Sequence, residues 1–211
     1  MTGEAVYTKA LLHIYDTMVL GLSLRWIWGC SSDHLLAFYN EHVGAAHMDV
    51  GVGTGYFLDQ CQFPCQKPRI MLLDLNPNCL ERATGRLVRY CPQQYLADIQ
   101  QPLPPELGSF DSIGLSLLLH CLSGTASTKA QIFAQLKPFL KRGGTLFGVT
   151  VLSRGVQLNR LGLAVTTLYN ALGVFSNLAD DRVGLEAGLA QHFPTYRVHT
   201  RGALAFFVGQ A

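Results

Sequence analysis

The string Asp49-Val50-Gly51-Val52-Gly53-Thr54-Gly55 sets three glycines at alternate positions after an acid and a short apolar run. Glycines so spaced allow a tight turn with positive backbone dihedrals and let a ligand approach the main chain where a helix begins. A purely structural turn would carry the same residues, so the string gains meaning only from the acids downstream of it. Asp74, in Leu72-Leu73-Asp74-Leu75-Asn76, ends a second apolar run about twenty residues beyond the glycines. A carboxylate there can accept both hydroxyl protons of a ribose, or cap the helix that begins after Pro77. Asp98, in Ala97-Asp98-Ile99, follows a third short run. It can accept from the exocyclic amine of an adenine while Ile99 covers the ring, or hold a turn. A dinucleotide fingerprint, G-x-G-x-x-G, would need glycine where Tyr56 stands, which disfavours a nicotinamide cofactor.

These residues converge only if each ends a strand of one sheet, and the chain is patterned that way. Apolar residues from Ala5 to Leu22 fall at helical spacing, and a second helix is expected from Ser32 to His42 with Ser31 or Ser32 as its cap. Strands are then expected at His47 to Val52, Arg69 to Leu75, Gln94 to Ala97, Ser112 to Leu117 and Gly144 to Thr150. Helices at Tyr56 to Cys61, Asn78 to Tyr90 and Ser127 to Leu140 alternate with them, the order of a parallel, doubly wound sheet. Tyr196 to Thr200 and Ala203 to Val208, separated only by Arg201 and Gly202, predict an antiparallel hairpin that closes the sheet edge. The mostly helical segment from Ser153 to His192 would lie above the strand ends as a cap over a substrate.

The 211 residues show no composition-shifted half, so one domain is expected. At 49% hydrophobic and 14% charged residues, the chain carries more apolar surface than usual, which a core, a greasy pocket or a dimer face could absorb. The net charge of +2 is scattered rather than gathered in a stripe, which argues against a nucleic-acid partner. Six cysteines without a CxxC pair or a signal peptide fit reduced thiols in the cytoplasm, with neither a disulfide framework nor a metal site. The long apolar stretches are broken by Asp16 and Arg25, or by Thr166, Thr167 and Asn170, so no membrane span is expected.

Met48 to Gly55, Asp74, Asp98, Phe110-Asp111-Ser112-Ile113 and Leu136 to Gly144 together resemble the class I S-adenosylmethionine-dependent methyltransferases of small-molecule type. The resemblance implies an α/β, Rossmann-like, doubly wound seven-stranded sheet, mostly parallel, with an antiparallel C-terminal hairpin and an N-terminal helical lid. It divides the single domain into a lid at 1–44, a cofactor-binding core at 45–150, a helical cap at 151–192 and terminal strands at 193–211. S-adenosylmethionine would be the cofactor, with no metal. Asp49, Gly51, Gly53 and Gly55 would hold its methionine end, Asp74 with Leu75 and Asn76 the ribose, and Asp98 with Ile99 the adenine. Ser116 would touch it through hydroxyl or backbone.

Methyl transfer from a sulfonium is an in-line displacement, so such a protein chiefly aligns a nucleophile and excludes water. His120 lies just past the fourth strand, where the resemblance places the methyl group; it is the candidate base for a hydroxyl acceptor, or else a packing residue. Tyr15, Trp26 and Trp28 could face a sulfonium or a flat acceptor, and Asn159, Tyr169 and Asn177 could add polar contacts to an apolar pocket. All six also fit ordinary packing. The expected acceptor is a small, apolar or aromatic molecule methylated on oxygen or another heteroatom, and a homodimer through apolar helices stays open. The same fold also serves S-adenosylmethionine-binding proteins that steer pericyclic rearrangements, and non-catalytic partner subunits. A nicotinamide-dependent oxidoreductase is the remaining alternative.

Overall fold

The computed structural model describes residues 24–211. The helix expected from Ala5 to Leu22, and Tyr15 with it, lies outside the described residues. After a helical turn at Leu24–Trp26 come α1 (Ser32–His42), β1 (Ala46–Val50), α2 (Tyr56–Gln60), β2 (Arg69–Asp74), α3 (Pro77–Arg86) and β3 (Gln93–Leu96). There follow β4 (Phe110–Ser116), α4 (Ala126–Leu136), β5 (Leu140–Val151), α5 (Arg160–Ala171), α6 (Arg182–His192), β6 (Thr195–Arg201) and β7 (Leu204–Gln210). The seven strands make one sheet in the order β3-β2-β1-β4-β5-β7-β6. The first five are parallel, and β7 runs antiparallel to both β5 and β6. The doubly wound sheet with its antiparallel hairpin is therefore the architecture found.

Helices on both faces make the central strands apolar along their whole length, while successive side chains still alternate between two cores. On β2, Ile70 and Leu72 enter one core and Met71 and Leu73 the other; on β7, Phe206 and Phe207 divide in the same way. The first core takes Leu35, Phe38 and Tyr39 from α1, and the second takes Ile132, Phe133 and Leu136 from α4. β1 is buried throughout, yet His47 and Asp49 alternate in it with Met48 and Val50. The strand order turns back between β1 and β4, and a crevice opens at the carboxyl ends of the strands at such a point.

Two helices end earlier than their apolar spacing suggests. α3 stops at Arg86 and gives way to a 3-10 turn at Val88–Tyr90, closed by Cys91 in the left-handed region (φ 47). α4 stops at Leu136 because Pro138 offers no N–H to continue it; a 3-10 turn at Lys137–Phe139 leads into β5 at Leu140 rather than Gly144. The hairpin loop is Gly202-Ala203, since Arg201 is still paired, with Leu204. Among the described residues no helix is long and apolar enough to cross a membrane.

Between α5 and α6 the chain is tied down by polar side chains. Asn177, fully buried, donates to the Val151 carbonyl and bonds with Asn170. Lys129 of α4, only 6% exposed, donates to the Ser176 carbonyl at 2.7 Å and to Asp180 Oδ2 at 2.6 Å. Burial raises the Asp180 carboxyl and the Lys129 charge opposes that rise. Removing one partner of such a pair strands the other charge. Lys129→Met should therefore lower the unfolding free energy by about 3–5 kcal/mol in urea denaturation; a loss below about 1 kcal/mol would show the pair to be solvated.

Candidate functional site

A cavity of about 610 Å³ occupies the crevice at the strand ends. The glycine string (Asp49, Gly51, Gly53, Gly55), the end of β2 (Asp74, Leu75, Asn76), Asp98 and Ile99 after β3, and Ser116 closing β4 all line it. The three glycines of the string have φ of 70°, 55° and 71°. A Cβ on Gly51 would stand 2.7 Å from Leu118, whereas one on Gly53 would meet nothing within 4 Å. Gly51 thus admits a neighbouring segment, and Gly53 leaves bare main chain facing open space, as close ligand approach requires.

Each strand-end acid is held by a donor without formal charge. Asp74 accepts the Gly53 N–H on Oδ2 at 3.1 Å and the Asn76 N–H on Oδ1 at 2.9 Å, which leaves acceptor capacity on both oxygens. Burial raises its carboxyl above the ordinary aspartate value, and the N–H bonds from Asn76 and Gly53 partly offset this. Asn76 caps α3 by accepting from the Asn78 N–H. Asp98 accepts from the Gln100 N–H at 2.8 Å, an Asx turn beside the buried Ile99. Asp49, 5% exposed, accepts on Oδ1 from the Tyr39 hydroxyl at 3.1 Å. Burial, and next the neighbouring Asp49 charge, push the Tyr39 phenol well above its ordinary value, so Tyr39 is a donor there.

Among the described residues the lining holds Asp49, Asp74 and Asp98 but neither Lys nor Arg. Such a field favours a ligand bearing positive charge and opposes the two phosphates of a nicotinamide dinucleotide. A sulfonium with an α-ammonium suits it. The bare Gly53 backbone and the free acceptor capacity of Asp74 suit the nucleoside that carries that sulfonium.

The structure does not bring the other expected residues to this cavity. His120 is 4% exposed, and burial pulls its imidazole down to about 3. Its Nδ1 accepts the Val151 N–H at 3.3 Å, and its ring stands edge-on to Phe175 at 4.5 Å. Unlike the base expected there, the His120 side chain stands off the cavity and fastens the end of β5. Trp28 is buried beside Phe175 with its carbonyl accepting from the Ala203 N–H. Trp26 is 64% exposed, and its carbonyl accepts from Asn159, which also caps α5 through the Gly162 N–H. Tyr169 packs on Phe175 at 5.0 Å, and Asn177 belongs to the buried network between α5 and α6. None of these side chains lines the cavity: Trp26 faces outward and the others are used in packing, capping or the buried network.

Tyr39, Leu117, Leu118, Cys121 and Val174 line it without having been singled out for it in the sequence. Tyr39 reads as one more apolar position of α1, and nothing local marks it. Leu117 has φ 59, a left-handed conformation costly for a residue with a Cβ, and its N–H donates to the Val149 carbonyl at 2.7 Å. Burial pushes the Cys121 thiol up to about 12, so it is a small apolar wall and not a thiolate.

The sequence profile of a family described as a methyltransferase domain matches residues 48–146. Demethylluteothin O-methyltransferase of Streptomyces thioluteus is 38% identical over 205 residues, covering 97% of this chain and 89% of its own length. Methyltransferase verB of Penicillium polonicum is 42% identical over 189 residues, 83% of each chain. The fold alone is shared with the DhpI–SAH complex structure, with a TM-score of 0.68 at 12% identity over 98% of this chain and 94% of that one. Likeness of that extent, on a sheet whose strand-end acids and glycine turn suit an adenosyl sulfonium, shows that this chain belongs to the class I S-adenosylmethionine-dependent methyltransferases acting on small molecules.

Proposed function

We propose that this chain transfers a methyl group from S-adenosylmethionine, bound in the strand-end cavity, to an oxygen of a small apolar or aromatic acceptor. The observation that carries this is the convergence of Asp49, Asp74 and Asp98 with the bare turn at Gly53 on one cavity. The oxygen is favoured by the similar Streptomyces thioluteus protein, whose name is that of an O-methyltransferase. The cofactor, when bound, supplies a methyl group already activated on sulfur.

The chain's own residues then have four tasks. Asp49 and the glycine turn meet the methionine end, Asp74 accepts from the ribose hydroxyls, and Asp98 with Ile99 holds the adenine. Leu117, Leu118, Cys121 and Val174, also in the lining, form an apolar wall for the acceptor and keep water from the displacement. Alignment within such a wall supplies the larger part of the acceleration when the electrophile comes preactivated.

Asp74→Asn should weaken S-adenosylhomocysteine binding by about 1–3 kcal/mol in calorimetric titration; undiminished affinity would remove Asp74 from the ribose. The ribose hydroxyls bind the ionised form, and the carboxyl is raised by burial. Wild-type affinity should therefore be full above that raised value and fall on acidification sooner than an ordinary aspartate would dictate. The unliganded fold has the opposite dependence on Asp74: its contribution to stability is present at low pH and lost as the pH rises through the raised value. Acid weakening of binding through Asp74 is therefore separable from unfolding.

The lowered imidazole of His120 acts on the fold instead. Its contribution to stability is complete above the ordinary histidine range and is lost as pH falls toward about 3. His120→Gln should flatten that acid limb in denaturation experiments while turnover per folded molecule stays within about twofold. A drop in turnover of about 100-fold or more would restore His120 as a base.

A further inference from the structure

His47 is fully buried in β1 and is used by none of the roles above. It stands two residues before Asp49, and residues at that spacing in a strand share a face. Here it is the face that Tyr39 and Phe147 cover. Across the sheet His47 is paired with Ser112 and Asp49 with Gly114. Hydrogen bonds fix the direction of the imidazole. The Gly44 N–H donates to Ser112 Oγ at 2.7 Å, and that oxygen lies 2.7 Å from His47 Nδ1. Ser112 Oγ, having accepted from the Gly44 N–H, still has its own proton to give to Nδ1, and with that bond made the imidazole proton is on Nε2.

Nε2 is buried with no hydrogen-bond partner and lies 3.7 Å from Asp49 Oδ1, the same oxygen that accepts from the Tyr39 hydroxyl. Facing that carboxylate with a lone pair instead would be repulsive, which favours the same tautomer. Space for the approach comes from the cross-strand glycine. A Cβ on Gly114 would stand 2.5 Å from Asp49 Oδ1 and 3.3 Å from His47 Nε2. Tyr39 is itself fixed, stacked on Phe57 at 5.3 Å and edge-on to Phe147 at 5.2 Å. The Tyr39 hydroxyl bonds Oδ1 and the imidazole edge faces the same oxygen, so Oδ2 keeps its acceptor capacity for an occupant of the cavity that Asp49 lines.

We infer that His47 and Tyr39 are positioning residues that aim the Asp49 carboxylate at the α-ammonium of the cofactor, making the cavity selective for adenosyl ligands that carry the amino-acid group. The inference rests on the placement of the methionine end at Asp49. Unlike a role in packing, it separates two ligands that share everything but that group.

S-adenosylhomocysteine and 5′-methylthioadenosine have the same nucleoside and thioether, and only the first has the amino acid. Both should be titrated calorimetrically into the wild type, Tyr39→Phe, His47→Gln and Asp49→Asn, with thermal unfolding of each variant alongside. Tyr39→Phe deletes one oxygen and keeps the stacked ring, so it decides the matter even where His47→Gln fails to fold. It should weaken S-adenosylhomocysteine about fivefold and methylthioadenosine less than about twofold. Combined with Asp49→Asn it should add little, because the relay then has nothing to aim. Equal weakening of both ligands, or of neither, in Tyr39→Phe would overturn the relay while Asp49→Asn still separated them. A ratio unchanged in Asp49→Asn would overturn the placement of the ammonium, and the relay with it.

Discussion

Asp74 accepts the N–H groups of Gly53 and Asn76, and those two bonds set where the glycine turn lies relative to the end of β2. The pairing of β1 with β2 brings the two strand ends level, Val50 beside Leu73, and Gly51 extends the ladder by donating to the Leu73 carbonyl. A carboxylate one residue beyond that point reaches the turn only because left-handed glycines fold the chain back toward it. The charge is then held by main-chain dipoles instead of a cation. Dipoles leave the carboxylate its charge for a ligand, at the cost of a raised carboxyl in the free protein. Asp49 and Asp98 repeat the pattern with a phenol and the Gln100 N–H. A cavity built in this way is most stable when something positive enters it.

The far wall of the cavity is positioned by groups that never face it. His120 accepts from the Val151 N–H through its ring, and its own carbonyl accepts from the Ser176 N–H at 2.8 Å. It therefore joins the end of β5 to the segment that brings Val174 to the lining. Lys129 and Asp180 clamp the same segment from α4, and the Asp180 carbonyl accepts from the N–H groups of Ser153 and Arg154. Buried polar groups such as these are tolerated because they find partners, and bonds of this kind favour one arrangement of the segment beside the cavity.

How much could be read from the sequence depends on how local each cause is. The glycine string, the acids that end β2 and follow β3, and the alternation of strands with helices are local patterns, and the fold and the cofactor end of the cavity follow from them. Helix ends were less legible, because Pro138 stops one helix, and a 3-10 turn closed by the left-handed Cys91 replaces the last residues of another, while the apolar spacing continues. His120, Asn159 and Asn177 read as candidate site residues, yet their side chains bond main-chain groups, since whether a polar side chain faces a ligand or the main chain depends on neighbours distant in sequence. Tyr39 and His47 show the converse. Each sits in an ordinary buried position of its element, and only the pairing of β1 with β4 and the packing of α1 bring them to Asp49.

The glycine turn and the apolar wall of the cavity are also coupled through one contact. Leu118 occupies the space that a side chain at Gly51 would take, 2.7 Å from the ideal Cβ position. Leu117, just before it, is held left-handed by its bond to Val149, a conformation that costs a residue with a Cβ about 1–2 kcal/mol. Strain of that size persists only where surrounding contacts overdetermine it. Here the Gly51–Leu118 contact and the ladder to β5 supply them. Relaxing Leu117 toward an ordinary dihedral would shift Leu118 against the turn and alter the apolar side of the cavity. The two ends of the cavity are therefore not independent in this fold: a change of side chain at Leu117 or Leu118 acts first on the glycine turn at Gly51.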